Sequence, residues 1–396
     1  MKIRDKILII QLLLFITLSI VLVETVNAGQ NDVWKTAARN YYSENYNKVT
    51  EILQEYRGKE IITEEDFKAI EYLVKAEIKL LNLNEAEVLI GKLEESGYKK
   101  AELYWLLGRE YLNREGHFDN AMFEKARDKL KISRELGLFG IEQKRDLGQA
   151  LVGMNEFSQA IELLESVREK DPGTTDLNAL ARAYHKTEEL RKARDIYERL
   201  IVLNPDDAGA YLTLGNIYRE LDNHQEAADV YNQGLNFKPQ NIALKKALAE
   251  TEFFLERYKE AEELMLNILE SHPHMYEIHY YLGKIYEEKG ELDQAQNKYE
   301  EAIKYNSEYV RGYLALGNLY LSRNNHYRAI SQFTNAIEIN PDYAKSYYFI
   351  GKTFYQLEMY EKALTEVNNA FRRNPGLDKA RELREVLLEK LKEQNS

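Results

Sequence analysis

The 396-residue chain predicts an all-α fold, a solenoid of about ten helix-turn-helix repeats. Three observations predict it. From Leu203 onward a pattern returns every 34 residues. Within each half of the pattern, apolar residues fall three and four apart, the spacing of one helix face. Prolines recur at one phase, at Pro205, Pro239, Pro273, Pro341 and Pro375, where each stops a helix because it lacks the amide donor and clashes with the preceding turn.

One copy of the pattern is Tyr211, Leu214, Gly215, Tyr218, Ala227, Tyr231, Gly234 and Pro239; another is Tyr313, Leu316, Gly317, Tyr320, Ala329, Phe333, Ala336 and Pro341. The eighth position is small (Gly215, Gly283, Gly317, Gly351, Ala181, Ala249) because a longer side chain would hold the first helix away from the second. The twentieth is Ala for the same reason, at 193, 227, 261, 295, 329 and 363. Tyr, Phe and Leu at positions 4, 7, 11 and 24 fill the space between, each contributing about 1.5 to 3 kcal/mol when buried. Asp and Asn beside the breaks, as in Asn204-Pro205-Asp206-Asp207 and Asn340-Pro341-Asp342, suit the next helix N-cap. On these residues the chain resembles the tetratricopeptide repeat family, which implies a right-handed superhelical solenoid that binds other proteins or peptides in its concave groove.

In order along the chain, the first and poorest helix pair spans Asn31 to Tyr56. A divergent repeat starts at Phe67, preceded by the capping-box pattern Thr63-Glu-Glu-Asp66. The next starts near Ala101 and is 40 residues long, its surplus expected in the turn-like stretch between Leu112 and Phe123. Further repeats start near Ile141, Asp176, Ala208, Ile242, Tyr276, Val310 and Ala344. After Pro375, Leu377 to Glu393 reads as one helix with Leu383, Leu387 and Leu391 on a face, the solvating cap that a helical stack needs. The expected organisation is therefore a leader at 1–28, divergent repeats at 29–172, a regular array at 173–375 and a capping helix at 376–396, with no Pro-, Gly- or Ser-rich linker between repeats.

The leader stands apart. Lys2, Arg4 and Lys6 precede an apolar run from Ile7 to Val23, and Val26-Asn27-Ala28 offers short residues where a signal peptidase reads. Both a cleaved signal peptide and a retained membrane anchor fit, since the run is long for a signal core and short of the roughly 20 residues that span a bilayer. Either way the positive N-terminus predicts repeats exported from the cytoplasm, periplasmic or otherwise extracytoplasmic. No cysteine follows the run, which excludes a bacterial lipoprotein, and with no cysteine anywhere no disulfide forms.

A net charge of −12 is a poor surface for polyanions, so no nucleic acid partner is expected. His272, His274 and His279 are the best histidine cluster, but His279 falls in a packing slot and no metal site is expected. Gly283-Lys284 and Gly351-Lys352 lack the spacing of a phosphate loop and lie mid-helix. With no catalytic motif and no cofactor signature, the chain reads as a non-enzyme.

The family resemblance implies that first-helix positions 2, 5, 9 and 12 line the groove. Position 9 carries Lys75, Arg109, Gln149, Arg182, Asn216, Glu250, Lys284, Asn318 and Lys352, mostly cationic in an acidic chain. In the last three repeats, Tyr280, Leu314 and Tyr348 at position 5 and Leu321 and Tyr355 at position 12 alternate with Lys284, Asn318 and Lys352, while Arg311 and Lys345 add charge at position 2. These residues and Asn216 are the candidate site for an extended or carboxylate-bearing segment of another protein. The competing reading has positions 5 and 12 packing neighbouring first helices. By class, a protein-binding scaffold of the cell envelope leads; an accessory subunit of a polysaccharide, secretion or pilus machine working beside an enzyme, and a carbohydrate or small-ligand receptor, are the alternatives. No residue selects a partner or an oligomeric state.

Overall fold

The computed structural model describes residues 33–113, 120–168 and 173–394. The leader at 1–28, the core of the expected surplus at 114–119 and the end of the divergent repeats at 169–172 lie outside these residues. Two compact units divide the chain, Met1–Ile196 and Tyr197–Ser396. The first holds α1 (Val33–Tyr42), α2 (Tyr46–Ile52), a single 3-10 turn (Gln54–Arg57), α3 (Glu64–Lys79), α4 (Leu83–Glu95), α5 (Ala101–Asn113), α6 (Asn120–Glu135), α7 (Ile141–Gly153), α8 (Phe157–Arg168), α9 (Thr174–Lys186) and the start of α10 (Leu190–Leu203). The second continues with α11 (Ala208–Glu220), α12 (His224–Phe237), α13 (Ile242–Phe254), α14 (Tyr258–Ser271), α15 (Tyr276–Glu288), α16 (Leu292–Tyr305), α17 (Val310–Ser322), α18 (His326–Ile339), α19 (Ala344–Gln356), α20 (Tyr360–Arg373) and α21 (Asp378–Gln394). There is no strand among the described residues, and in chain order the helices form ten successive pairs followed by α21, the all-α repeat class that the spacing predicts.

Close approach inside each pair is set where position 8 meets position 24. A Cβ on Gly215 would lie 2.2 Å from the Tyr231 ring, on Gly317 2.4 Å from Phe333, and on Gly283 2.5 Å from Tyr299. Nothing larger than hydrogen fits there. All six alanines at position 20 have no solvent exposure, as the spacing requires.

Within the regular array at 173–375, the turn inside each pair is a Schellman motif that the sequence reading did not anticipate. Asp222 takes φ 64°, with its N–H donating to Arg219 O at 3.0 Å and the Asn223 N–H to Tyr218 O at 2.8 Å, the crossed pair that closes a helix C-terminus. The same left-handed residue recurs at Glu188, Glu256, Gly290, Asn324 and Glu358. Only one of the six is glycine. At the other end, Asp207 caps α11 by accepting from Gly209 N and Ala210 N, as expected. The expectation fails at Asp342: the N-cap of α19 is Tyr343, with no side-chain cap, and Asn340 Oδ1 instead accepts the Asp342 N–H at 3.1 Å. Asn306 and Asn374 close the same Asx turn one period away on either side. The capping box at Thr63 forms, with the Asp66 N–H donating to Thr63 Oγ1 at 3.2 Å and the Thr63 N–H to Asp66 Oδ2 at 2.9 Å.

Within each unit a pair packs on the next, and first helices touch first helices: α3, α5, α7 and α9 in one, α11, α13 and α15, and α17, α19 and α21 in the other. First helices therefore form a layer within each unit. Tyrosines at position 11 clasp the second helix before them. Tyr184 Oη donates to Glu165 at 2.7 Å, Tyr320 Oη to Glu300 at 3.5 Å, and Tyr218 Oη to Glu198. Burial first, and then a hydrogen bond to Glu262, push the Tyr286 hydroxyl up to about 12.

Three outcomes follow. Gly317→Ala forces the Phe333 ring to move, and net destabilisation of about 1 to 2 kcal/mol is expected in denaturant melts after the helix-propensity gain; in a Phe333→Met background the same change becomes neutral or stabilising, because the native Ala249 shares its core with the flexible Met265. Glu256→Gly relieves the left-handed strain of about 1 to 2 kcal/mol, partly offset by unfolded-chain entropy, so the thermal midpoint rises. Tyr286, Tyr231 and Tyr98, each pushed up to about 12, bind their protons more tightly folded than unfolded. Their contribution is complete below the unfolded value near 10 and disappears as pH rises through about 12, so tyrosinate absorbance and loss of helical circular dichroism should appear together in that window.

Candidate functional site

The first-helix layer presents positions 2, 5, 9 and 12, and what each side chain can offer a ligand depends on what it already touches. In the first unit, position 9 is stitched to the next repeat. Lys75, itself buried, pairs with Glu71 at 2.9 Å and with Glu102 at 3.0 Å. Burial opposes its charge, yet the two carboxylates outweigh that and hold its ammonium above the ordinary value. Arg109 lies 5.4 Å from the Trp105 ring and 3.9 Å from Glu142. Gln149 Nε2 donates to Asp176 at 2.8 Å, beside Arg145 at 3.1 Å. The buried Asp146 accepts from Trp105 Nε1 at 2.7 Å, and burial pushes its carboxyl up. Arg182 alone of this unit's position-9 residues is exposed and forms no ion pair among the described residues.

In the second unit the stitching continues through α15. Arg219 reaches Glu250 at 3.5 Å, and burial raises the Glu250 carboxyl against the pull of Arg219 and Lys246. Lys246 pairs with Glu277 at 3.0 Å.

Five of the candidate residues are consequently placed elsewhere than in a ligand's path. Leu314 and Leu321 are only 7% exposed and belong to the hydrophobic core between repeats; positions 5 and 12 face the adjacent first helix there, so the packing reading corrects the binding one. Lys284 is paired with Glu287 at 3.0 Å, and Glu287 also accepts from Tyr299 Oη at 2.7 Å. Asn216 Oδ1 accepts from Tyr231 Oη at 2.8 Å and so holds the repeat together. Tyr280 is wedged among rings, 5.5 Å from Tyr309, 5.4 Å from Tyr281 and 6.0 Å from Tyr299.

The remaining six gather on α17 and α19, which are neighbours. Arg311 is exposed, and against the partial burial of its guanidinium, charge interaction with Tyr309, Tyr280 and Tyr281 holds it above the ordinary value. Lys345 is exposed, and Asn318 and Lys352 are half-buried; among the described residues none of these three has a side-chain hydrogen bond or ion pair. Tyr348 packs 5.3 Å from Phe349 and Tyr355 5.8 Å from Tyr360, each half-buried. The arrangement offers three cations and one amide between two aromatic edges, a set suited to carboxylate and backbone groups of an extended chain.

Sequence reasoning missed Tyr309. It ends its repeat as the N-cap of α17, a slot where a polar residue is expected, and it supplies both the ring against Tyr280 and a hydroxyl that interacts with the Arg311 charge. It also missed the carboxylates that occupy the inner cations; Glu102, Glu142 and Glu277 all stand at position 2, the signal that was available. His279 is buried as a packing residue, with Nε2 2.8 Å from Pro273 O and Nδ1 3.0 Å from Glu301. Among the described residues no three His, Cys, Asp or Glu side chains group as a metal site, and no helix is long and apolar enough to cross a membrane.

Tetratricopeptide repeat family models match residues 151–202, 178–242 and 344–376, and a further model described as TPR repeat matches 283–322 and 317–358. Interferon-induced protein with tetratricopeptide repeats 2 of Cricetulus griseus is 31% identical over 127 residues, covering 28% of this chain and 27% of that protein. RNA polymerase-associated protein CTR9 of Caenorhabditis elegans is 26% identical over 253 residues, covering 54% of this chain and 21% of that one. The matches thus span about a quarter and a fifth of the length of these curated relatives. Among solved structures, the Cut9–Hcn1 hetero-tetramer of APC/C is similar over 90% of this chain and 83% of its own, at 12% identity and a TM-score of 0.47. A tetratricopeptide repeat protein from Parabacteroides merdae is similar over 64% and 98%, at 17% identity and a TM-score of 0.47. With paired helices in 34-residue phase, glycine or alanine at position 8 against position 24, and family matches on both units, the chain belongs to the tetratricopeptide repeat family.

Proposed function

We propose that this protein is a non-catalytic scaffold that binds an extended, carboxylate-bearing segment of a partner protein on the first-helix face of residues 310–356, outside the cytoplasm. One observation carries the binding reading. Arg311, Lys345 and Lys352, three cations on neighbouring first helices, have no carboxylate in ion-pair distance among the described residues, whereas Lys246 and Lys284 on first helices of the same unit both do. Cations the fold does not use are available to a ligand. Asn318 between them can donate to and accept from a peptide backbone, and the edges of Tyr348 and Tyr355 supply anchoring surface. A polyanion would meet a chain of net charge −12, so a peptide with a local carboxylate is the better fit. Export rests on Lys2, Arg4 and Lys6 ahead of the apolar run Ile7–Val23.

The test is selection from a random peptide library displayed with free C-termini, followed by titration of the selected peptides. The expected result is acidic or free-carboxylate peptides whose affinity falls at least about ten-fold for Lys345→Glu/Lys352→Glu and on amidation, but not for Lys259→Glu on the second helix of another repeat. Selected peptides that bind the double variant unchanged would place the site on other repeats.

A further inference from the structure

We propose that the partner segment bound by α17 and α19 is a proline-containing polyproline II stretch with acidic residues three positions apart; this rests on the carboxylate reading above. In α17 and α19 alone among the described first helices, an aromatic N-cap stands two residues before a cation, Tyr309 before Arg311 and Tyr343 before Lys345. The N-caps of α11 and α13, Asp207 and Asn241, accept hydrogen bonds from the first turns of their helices. Tyr309 and Tyr343 make no such bond, so α17 and α19 forgo a side-chain cap to carry a ring. At α15 the same two slots hold Met275 and the acidic Glu277. Position 3 is small behind both rings, Gly312 and Ser346, and a Cβ on Gly312 would lie 3.2 Å from the Tyr309 ring. Tyr276 holds that ring at 4.9 Å between centres, and Tyr343 packs on the core; both N-cap rings are half-buried and keep an outer edge.

Two equivalent ring-and-cation pairs, one repeat apart, set a spacing. α17 and α19 bring Cα atoms within 8 Å of each other, and packed helices have axes about 8–10 Å apart. Polyproline II presents the same face every third residue at about 3.1 Å per residue, a step of about 9 Å. A β-strand presents the same face every second residue, a step of about 6.6 Å, and falls out of register with the repeats. A strand also needs partners for its backbone groups, which a layer of helices without a sheet edge does not supply, whereas polyproline II leaves its backbone to water. Acidic side chains three residues apart then meet Arg311 and Lys345. The pyrrolidine rings beside them lie on Tyr309 and Tyr343, since aromatic-lined surfaces are where proline-rich segments dock.

The test is calorimetric titration of the full chain with synthetic peptides of one length, all with free C-termini, that carry Glu-Pro-Pro-Glu, Glu-Gly-Gly-Glu, Glu-Pro-Glu or Glu-Pro-Pro-Pro-Glu in the same Ser/Gly frame. Glu-Pro-Pro-Glu is expected to bind at least about ten-fold more tightly than the other three, because it is pre-organised and in register. Tyr309→Leu/Tyr343→Leu, with helicity checked by circular dichroism, is expected to reduce that preference to about two-fold or less, and Lys345→Glu/Lys352→Glu to weaken all four peptides at least about ten-fold. Equal affinities for the four peptides, still lost in the lysine variant, overturn the polyproline reading and leave the carboxylate site standing. Peptides that bind the lysine variant unchanged overturn both. A three-residue preference that is the same with glycine overturns the polyproline conformation, and a proline preference that survives loss of both rings overturns the assignment to Tyr309 and Tyr343.

Discussion

Everything in this protein depends on how closely two helices can lie within one repeat, and that distance is set by a hydrogen atom. Where position 8 is glycine, the ring or branched chain at position 24 occupies the space a Cβ would need, 2.2 Å away at Gly215 and 2.6 Å at Gly351. Position 20 completes the contact from the other helix with an alanine that sees no solvent. Such close packing cannot be relaxed by one side chain, since neighbours at interior density have nowhere to move. With the pair locked, its first helix has one orientation, and the layer of first helices inherits it. The availability of positions 2, 5, 9 and 12 is thus a consequence of sterics on the adjoining face of the same helix.

Charge is then distributed over that layer in two ways. In the first unit, Arg182 apart, and in the second as far as α15, a basic side chain of one repeat commonly meets an acidic one, most often at position 2 of the next, as in Lys75 with Glu102 and Lys246 with Glu277. Most of these pairs are partly solvated and each contributes on the order of 0 to 1 kcal/mol, so their sum matters less for stability than for register. Lys75 is the exception: it is buried, and removing both carboxylates would leave a desolvated ammonium behind. On α17 and α19 the acidic partners stop. Position 2 there is Arg311 and Lys345, so the residues that elsewhere neutralise the wall add to its positive charge.

Much of the fold was legible in the sequence because the repeat states each rule many times. The small eighth position, the alanine at 20 and the proline stops were read correctly, and so was the Thr63 capping box. What escaped were features that the repeat satisfies with changing residues. The left-handed turn residue is Glu at 188, 256 and 358, Asp at 222, Asn at 324 and Gly only at 290, so backbone hydrogen bonds rather than composition enforce it. The site was less legible for a different reason. Leu314 and Tyr348 share position 5, yet one is core and the other half-exposed, since a first helix can bury that slot against its neighbour or present it depending on what the neighbour contributes. Position in a repeat gives direction; burial depends on the partner.

The candidate site is therefore best defined by subtraction. Lys284, Asn216 and Tyr280 have the right residue type and the right position, but each is occupied by Glu287, Tyr231 or Tyr309. What remains on α17 and α19 are groups the fold does not consume, and a scaffold can vary those without loss of stability. The acidic chain as a whole works against this site at long range: an acidic ligand approaches a protein of net charge −12 and is slowed rather than steered. Local contacts act within about a Debye length, where Arg311, Lys345 and Lys352 outweigh the distant charge. Recognition on these terms resides in the dissociation rate, set by desolvated contacts at the groove, and the acidic exterior selects against ligands whose negative charge is spread beyond the few residues the site can hold.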